Sequence, residues 1–143
     1  MRVLIVDDDP VTRVVLEARM AKWGYEVSAA ADGEPAWVMV GEIDGPLIAI
    51  VDWMMPGLTG PQLCQRIYNR SDAERFYLIL LTSKSGMDDQ TIGIVAGADA
   101  FITKSLDFAQ LRHQLETGTR VLERRAEEAA AAAAGGQEQR RAG

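Results

Sequence analysis

The sequence has one cysteine, one histidine and no long apolar run, and each scarcity excludes a class of protein. A single cysteine, Cys64, allows neither an intrachain disulfide nor a cysteine-based zinc site, and its helical context predicts a buried core thiol. His113 lies in the last predicted helix, where we expect a surface residue and not a phosphohistidine.

Membrane and nucleic-acid surfaces are also disfavoured as partners. No apolar run approaches the roughly 20 residues that a membrane helix needs. The apolar run before Asp7 is too short for the core of a signal peptide, so we expect a cytoplasmic protein. A net charge of -6, with scattered lysines and arginines, argues against nucleic acid or an anionic membrane. The expected partners are proteins or small cations.

Short apolar runs alternate with segments of helical spacing along most of the chain. The runs cover residues 3–6, 25–30, 47–51, 77–81 and 100–102. This alternation predicts an α/β fold with a mainly parallel sheet. The first, third and fourth runs contain no polar alternation, which predicts central strands that are buried on both faces.

Capping residues and glycines mark the expected helix boundaries. Asp9 is expected to cap the first helix, with Pro10 at its first position, and Asp107 and Gln110 have the spacing of a capping box. Another helix is expected to open at residues 60 and 61. The glycines predicted to stop helices are Gly24, Gly41 and Gly97.

The composition changes near the end of the chain, where almost no large apolar residue follows Leu122. We expect one domain over residues 1–117 and a helical extension or linker over residues 118–136. Gly135 and Gly136 are predicted to end that helix, and residues 137–143 are predicted to be disordered.

Polar side chains follow four of the predicted strands. Asp7 and Asp8 come after the first strand, Asp52 after the third, Thr82 after the fourth and Lys104 after the fifth. Because ligands bind at the carboxyl ends of the strands in such sheets, we expect these groups to meet at one rim. Neighbouring carboxylates need a cation among them, and Mg²⁺ is the small hard cation that suits such a site.

At these positions the sequence closely resembles the receiver domain of two-component response regulators, including the single-domain chemotaxis regulator, over residues 1 to 117. The motifs are the pair Asp7 and Asp8, the run DWMMPGLTG from Asp52, LLTS with Thr82, and GADAFITK ending in Lys104. The resemblance implies a doubly wound five-stranded sheet of flavodoxin-like order 2-1-3-4-5, with helices on both faces.

The resemblance also implies a signalling switch without a separate enzymatic domain. Asp52 would accept a phosphoryl group from a sensor histidine kinase, a phosphotransfer protein or a small donor such as acetyl phosphate. Lys104 would pair with Asp52 and then with the phosphoryl group, and Thr82 would donate a hydrogen bond to it. Phe101 would turn inward in response, moving an output face built from the fifth strand and the helices on either side of it.

A magnesium site follows from the same resemblance. Asp8 and Asp52 would bind Mg²⁺ directly, together with the backbone carbonyl of Met54, while Asp7 would act through metal-bound water. Mn²⁺ would substitute for Mg²⁺. The sequence shows no DNA-binding helix-turn-helix and no catalytic domain, so two alternatives stay open: a free-standing regulator, or the receiver of a longer protein with a downstream output domain.

The sequence departs from the family pattern in three places. Ser105 replaces the proline that usually follows the lysine after a cis peptide bond, so we expect a trans Lys104–Ser105 bond. Thr59 stands where an acidic residue is frequent, which we interpret as a loop change without catalytic weight. Gly93 lies inside the helix predicted before Gly97 and should weaken it by roughly 0.5–1 kcal/mol.

Two alternative functions stay open at this level. The LIVDDDPV segment also fits the opening motif of haloacid-dehalogenase phosphatases, with Asp7 as nucleophile and Asp9 as general acid, although that would leave Asp52 unexplained. A receiver-like interaction module that never takes phosphate is the second alternative, although such modules tend to have lost one of the five polar residues.

The last helix carries apolar residues at spacings of three and four. Those nearest its start are expected to pack on the sheet, whereas Leu122 lies beyond the predicted domain and would be exposed in a monomer. This pattern predicts a weak homodimer through the extended helix. The residues of the seam are Phe108, Leu111, Leu115, Gly118 and Leu122.

Overall fold

The computed structural model describes residues 1–82, 97–104 and 107–142. Strands and helices alternate in these ranges as the sequence predicts, and every strand lies within two residues of its predicted limits. The elements are β1 (Arg2–Val6), α1 (Pro10–Lys22), β2 (Glu26–Ala30), α2 (Gly33–Glu42), β3 (Leu47–Asp52), α3 (Gly60–Tyr68), β4 (Phe76–Thr82), β5 (Ala100–Thr103) and α4 (Phe108–Ala142), with a 3-10 turn at Ala73–Arg75.

The five strands form one parallel sheet in the order β2-β1-β3-β4-β5, which confirms the predicted topology. Every residue of β3 and β4 is buried, as is β1 after its first residue, because helices cover both faces. On one face α2 and α3 pack against the sheet through residues such as Val40 and Leu63. On the other, α1 and α4 pack through residues such as Leu16 and Leu115.

Three of the helix starts are capped by side chains. At the start of α4, the Asp107 carboxylate accepts hydrogen bonds from the Ala109 and Gln110 amides at 3.0 and 3.3 Å, so Asp107 caps this helix as predicted. The Asp9 carboxylate accepts hydrogen bonds from the Val11 amide at 3.2 Å and the Thr12 hydroxyl at 2.6 Å, which confirms it as the cap of α1. Thr59 and Gln62 form a capping box at the start of α3. Thr59 therefore has a structural role in holding the start of α3, which the sequence pattern did not predict.

The three glycines that were predicted to stop helices differ in where the structure places them. Gly24 follows α1 with a φ of +91°, as a helix stop requires. Gly41 was predicted to stop a helix, but it lies inside α2, and the chain turns at Gly45 with a φ of +80°. The predicted stop is therefore one residue early, because α2 includes Gly41 and ends at Glu42. Gly97 has a φ of +87°, but the helix predicted before it, with Gly93, lies outside the described residues.

The thiol and the imidazole lie where the sequence predicts. Cys64 is completely buried in α3, and this burial raises its pKa to about 12, so the thiol stays protonated and unreactive at neutral pH. His113 is exposed on α4. Neither residue contributes to the polar rim described below.

The last helix is longer than the sequence predicts. It continues to Ala142, past Gly135 and Gly136, where we expected it to end. The residues that follow the glycines are rich in glutamine, glutamate and arginine, which favour a helix and offset the cost of the two glycines.

Leu122 is buried, with 2 % of its surface exposed, so the prediction that it would be exposed in a monomer was wrong. It joins the same core as Leu111 and Leu115. Gly118 allows this approach, because a Cβ there would lie 2.6 Å from the ring of Tyr77. The apolar seam of α4 is thus occupied by its own domain, and the homodimer loses the argument that favoured it.

We expect Leu122→Ala to lower the free energy of unfolding by about 2–5 kcal/mol, because it empties a filled core position. Urea denaturation measures this value, and Glu123→Ala, an exposed neighbour on α4, is the control that should change stability by less than about 0.5 kcal/mol. Equal stabilities of the two variants would contradict the packing described here.

Candidate functional site

The polar residues predicted from the strand ends meet at one rim of the sheet. Asp7 follows β1, Asp52 ends β3, Thr82 ends β4, and Lys104 follows β5, so four adjacent strands each contribute one group. Asp7, Asp52 and Thr82 are the buried polar residues among those described, with 0 %, 3 % and 4 % of their surfaces exposed. Asp8 is exposed beside them.

Lys104 brings a positive charge between two of the acids. Its Nζ lies 3.1 Å from Oδ2 of Asp52 and 3.5 Å from Oδ2 of Asp7. Its backbone N–H donates to the carbonyl of Thr82 at 2.7 Å, which ties the lysine to the end of β4. This hydrogen bond fixes the backbone of Lys104 at a position from which its ammonium group reaches both acids.

Asp7 is fixed by hydrogen bonds that leave one carboxylate oxygen without a partner. Its N–H donates to the Ala30 carbonyl at 3.1 Å, and its Oδ1 accepts from the Asp9 N–H at 2.9 Å. Arg13 donates to its backbone carbonyl at 2.8 Å. Its buried Oδ2 has no hydrogen-bond partner among the described residues, and Lys104 approaches it only at 3.5 Å. A buried oxygen of this kind calls for a further cation.

Asp7, Asp8 and Asp52 can each direct one carboxylate oxygen so that all three lie within 4.8 Å of one another. Burial raises the pKa of Asp52 to about 6; the Lys104 ammonium opposes this shift and the charge of Asp7 adds to it. When the three carboxylates are ionised, the ammonium group of Lys104 therefore does not balance their negative charge. Its oxygen ligands and geometry fit a small hard cation such as Mg²⁺.

The start of α3 holds the backbone of Asp52 in place. Gly60 donates to the Trp53 carbonyl at 3.0 Å, and Trp53 donates to the Leu81 carbonyl at 2.9 Å. A Cβ on Gly60 would lie 2.3 Å from the carbonyl oxygen of Asp52, so only glycine fits at this point. The sequence marked Gly60 as a helix start but not as a support of the site.

The remaining predicted site residues lie near the rim, and their roles are still predictions. Phe101 is half-buried on β5 and packs against the core on the α2–α3 face. Met54 is 64 % exposed in the loop after β3, and the binding of Mg²⁺ by its carbonyl stays a prediction. The Lys104–Ser105 peptide bond, predicted to be trans, lies outside the described residues.

A parallel 2-1-3-4-5 sheet with an acid cluster, a threonine and a lysine at its carboxyl edge defines a class of phosphate-accepting signalling domains. Residues 3–116 match the family model of the response regulator receiver domain, so the chain belongs to that family. The family membership leaves the haloacid-dehalogenase alternative without support, because that alternative needs a different domain.

Curated relatives agree with the family. The chain is 36% identical over 126 residues to the probable transcriptional regulator ycf27 of Cyanophora paradoxa, covering 88% of this chain and 49% of that protein. It is 34% identical over 119 residues to the response regulator PleD of Caulobacter vibrioides, covering 83% of this chain and 26% of that protein. The chain thus spans half or less of the length of these relatives.

Solved receiver structures have the same fold. The chemotaxis protein CheY4 of Vibrio cholerae matches with a TM-score of 0.74 and 28% identity, covering 85% of this chain and 98% of that one. The response regulator TrrA of Thermotoga maritima, solved in complex with Mg(2+)-BeF, matches with a TM-score of 0.72 and 29% identity, covering 82% and 97%. The chain is therefore a phosphoacceptor switch of the two-component type.

The comparisons also agree with the general character of the site. Receiver domains are regulatory proteins, and they bind Mg²⁺ at an aspartate cluster of the kind found here. No helix within the described residues is long and apolar enough to cross a membrane. The cytoplasmic location stays a prediction.

Proposed function

We propose that Asp52 is the phosphoacceptor of this switch. The observation that carries the proposal is the 3.1 Å contact between Asp52 Oδ2 and Lys104 Nζ at the acid cluster. Asp7 is less suited as a nucleophile, because its side chain is 0% exposed and its Oδ1 already accepts the Asp9 N–H. Asp8 is exposed and makes no ion pair with Lys104.

The transfer forms one bond and breaks one. An oxygen of Asp52 attacks phosphorus, and the bond from phosphorus to the donor breaks, with its electrons leaving on the donor. That donor is the imidazole of a phosphohistidine in a sensor kinase or phosphotransfer protein, or acetate in acetyl phosphate. Such transfers depend mainly on positioning and charge neutralisation, which Lys104 supplies at the Asp52 oxygen.

The other residues of the rim hold charge or respond to the phosphoryl group. Asp8, Asp52 and the carbonyl of Met54 would hold Mg²⁺, or Mn²⁺ in its place, with Asp7 acting through water. The bound ion would neutralise charge on the transferring group. Thr82 lies at the end of β4, and its hydroxyl would donate a hydrogen bond to the phosphoryl group, while Phe101 on the next strand would be the second residue of the switch.

The length of the curated relatives bears on how the signal is passed on. Because the chain spans half or less of the curated relatives, we propose that its signal passes to an output domain or protein. We place no nucleic acid or membrane on this chain and no enzymatic activity beyond its own phosphorylation and dephosphorylation. A weak homodimer through α4 stays a secondary proposal, now without the support of an exposed Leu122.

Acetyl phosphate should add one phosphoryl group to the wild-type chain in the presence of Mg²⁺ or Mn²⁺, and none after chelation of the metal. Intact-mass spectrometry follows the reaction. Asp52→Asn should gain nothing, while Asp44→Asn, which removes a carboxylate from the turn before β3, should react normally. A wild-type chain that binds Mg²⁺ but takes no phosphoryl group from any donor would favour the phosphate-independent interaction module.

A further inference from the structure

The first turn of α1 is tied to the acid cluster through Asp7. The Asp9 N–H donates to Asp7 Oδ1 at 2.9 Å, and the Arg13 guanidinium donates to the Asp7 carbonyl at 2.8 Å. Asp9 and Arg13 are themselves joined, because the Arg13 N–H donates to the Asp9 carbonyl at 3.0 Å. One turn of helix therefore holds Asp7 at its side chain and at its backbone.

The carbonyl that Arg13 binds belongs to the peptide group between Asp7 and Asp8. A peptide group is planar, so fixing its carbonyl also fixes the direction in which the chain enters Asp8. The N–H of Asp7 is fixed on the other side by the Ala30 carbonyl. The bond from Arg13 thus helps to fix the stretch of backbone from which both carboxylates extend.

We propose that Arg13 is a positioning residue for the divalent cation, holding the Asp7–Asp8 peptide so that both carboxylates face the site. This inference rests on the proposed function, because it needs a cation at the cluster. Arg13 does not touch the cation in this role, and it acts only through the peptide group. Partners that orient metal ligands in this way typically change metal affinity by about 10–100-fold when they are removed.

The direction in which Mg²⁺ affinity changes when Arg13 is removed distinguishes a positioning role from a direct effect of its charge. Arg13 makes no ion pair with a carboxylate among the described residues, so its positive charge repels a cation bound nearby. If charge alone mattered, removing Arg13 would strengthen Mg²⁺ binding. If Arg13 positions the acids, removing it weakens binding despite the lost repulsion.

Arg13→Met keeps much of the side-chain length and removes both the charge and the hydrogen bond. We expect its affinity for Mg²⁺, measured by titration calorimetry on the full chain, to fall about tenfold. Lys22→Met is the matched control, since it removes one positive charge from an exposed position on the same helix. Its affinity should equal that of the wild type or exceed it slightly.

Arg13→Lys supplies a second variant that retains the charge and one flexible donor. Because a lysine can still reach a carbonyl, we expect its affinity to lie between those of Arg13→Met and the wild type. Circular dichroism establishes that each variant is folded before titration. An Arg13→Met chain that is folded and binds Mg²⁺ as tightly as the wild type, or more tightly, overturns the inference. A wild-type chain that binds no Mg²⁺ would instead overturn the proposed metal site itself.

Discussion

Replacing Lys104 by methionine is expected to slow phosphoryl uptake about a hundredfold, because the variant loses the ammonium group that lies 3.1 Å from the Asp52 oxygen. The initial rate of mass gain with acetyl phosphate measures this effect. Initial rates are required because loss of the phosphoryl group passes through a similarly charged transition state and should slow as well. Because uptake and loss would both slow, the final fraction of phosphorylated chain would change little and would not report the slower uptake.

Metal affinity shows whether the lysine acts on the transferring group or on the cation. Removing a positive charge from beside the acids should leave Mg²⁺ binding unchanged or make it tighter. Lys22→Met, which lowers the net charge equally at an exposed site on α1, should match the wild type in rate. A Lys104→Met chain that reacts at the wild-type rate with Mg²⁺ saturating would show that Lys104 is only a structural partner of Asp52.

Gly60→Ala is expected both to destabilise the fold and to impair the site. The new Cβ would lie 2.3 Å from the Asp52 carbonyl oxygen and 3.0 Å from the Trp53 Cα, and neither backbone atom can move alone. We expect a loss of about 1–3 kcal/mol in the free energy of unfolding, as for other overpacked positions. The shift of Asp52 away from Lys104 should also slow phosphoryl uptake.

Gly41→Ala is the matched control for this substitution. Gly41 lies inside α2, and the nearest atom to its added Cβ, Nη1 of Arg70, is 3.8 Å away. Alanine there should raise the free energy of unfolding by about 0.4–1 kcal/mol and leave uptake unchanged. In urea denaturation, the same replacement of glycine by alanine is therefore expected to lower the free energy of unfolding at position 60 and to raise it at position 41. A Gly60→Ala chain as stable and as reactive as the wild type would contradict the described contact.

The sheet and its rim could be predicted because their signals are local. The buried strands are continuous apolar runs, and the groups that follow them must meet at one edge when the strands are parallel. The sequence alone therefore predicts that Asp7, Asp52, Thr82 and Lys104 lie together. It also divides the acid pair correctly from Asp9, since a carboxylate followed by proline has the pattern of a helix cap.

The features that the sequence did not predict depend on contacts between distant parts of the chain. Leu122 was predicted to be exposed to solvent, but it lies in the core. No sequence pattern shows that Tyr77 packs against Gly118, which keeps α4 close to the sheet as far as Leu122. Arg125 extends that contact by donating to the Phe76 carbonyl at 3.2 Å. The bond from Arg13 to the Asp7 carbonyl was missed for the same reason, because a backbone acceptor leaves no mark on the sequence.

Chemical mapping of the phosphorylated residue tests the central claim most directly. Borohydride reduces an acyl phosphate to an alcohol, so a phosphorylated aspartate becomes homoserine, which peptide mass spectrometry locates without any mutation. After reaction of the wild-type chain with acetyl phosphate and Mg²⁺, we expect homoserine in place of Asp52 and unchanged aspartates at Asp7 and Asp8. Homoserine in place of Asp7 or Asp8, with Asp52 intact, would contradict the account.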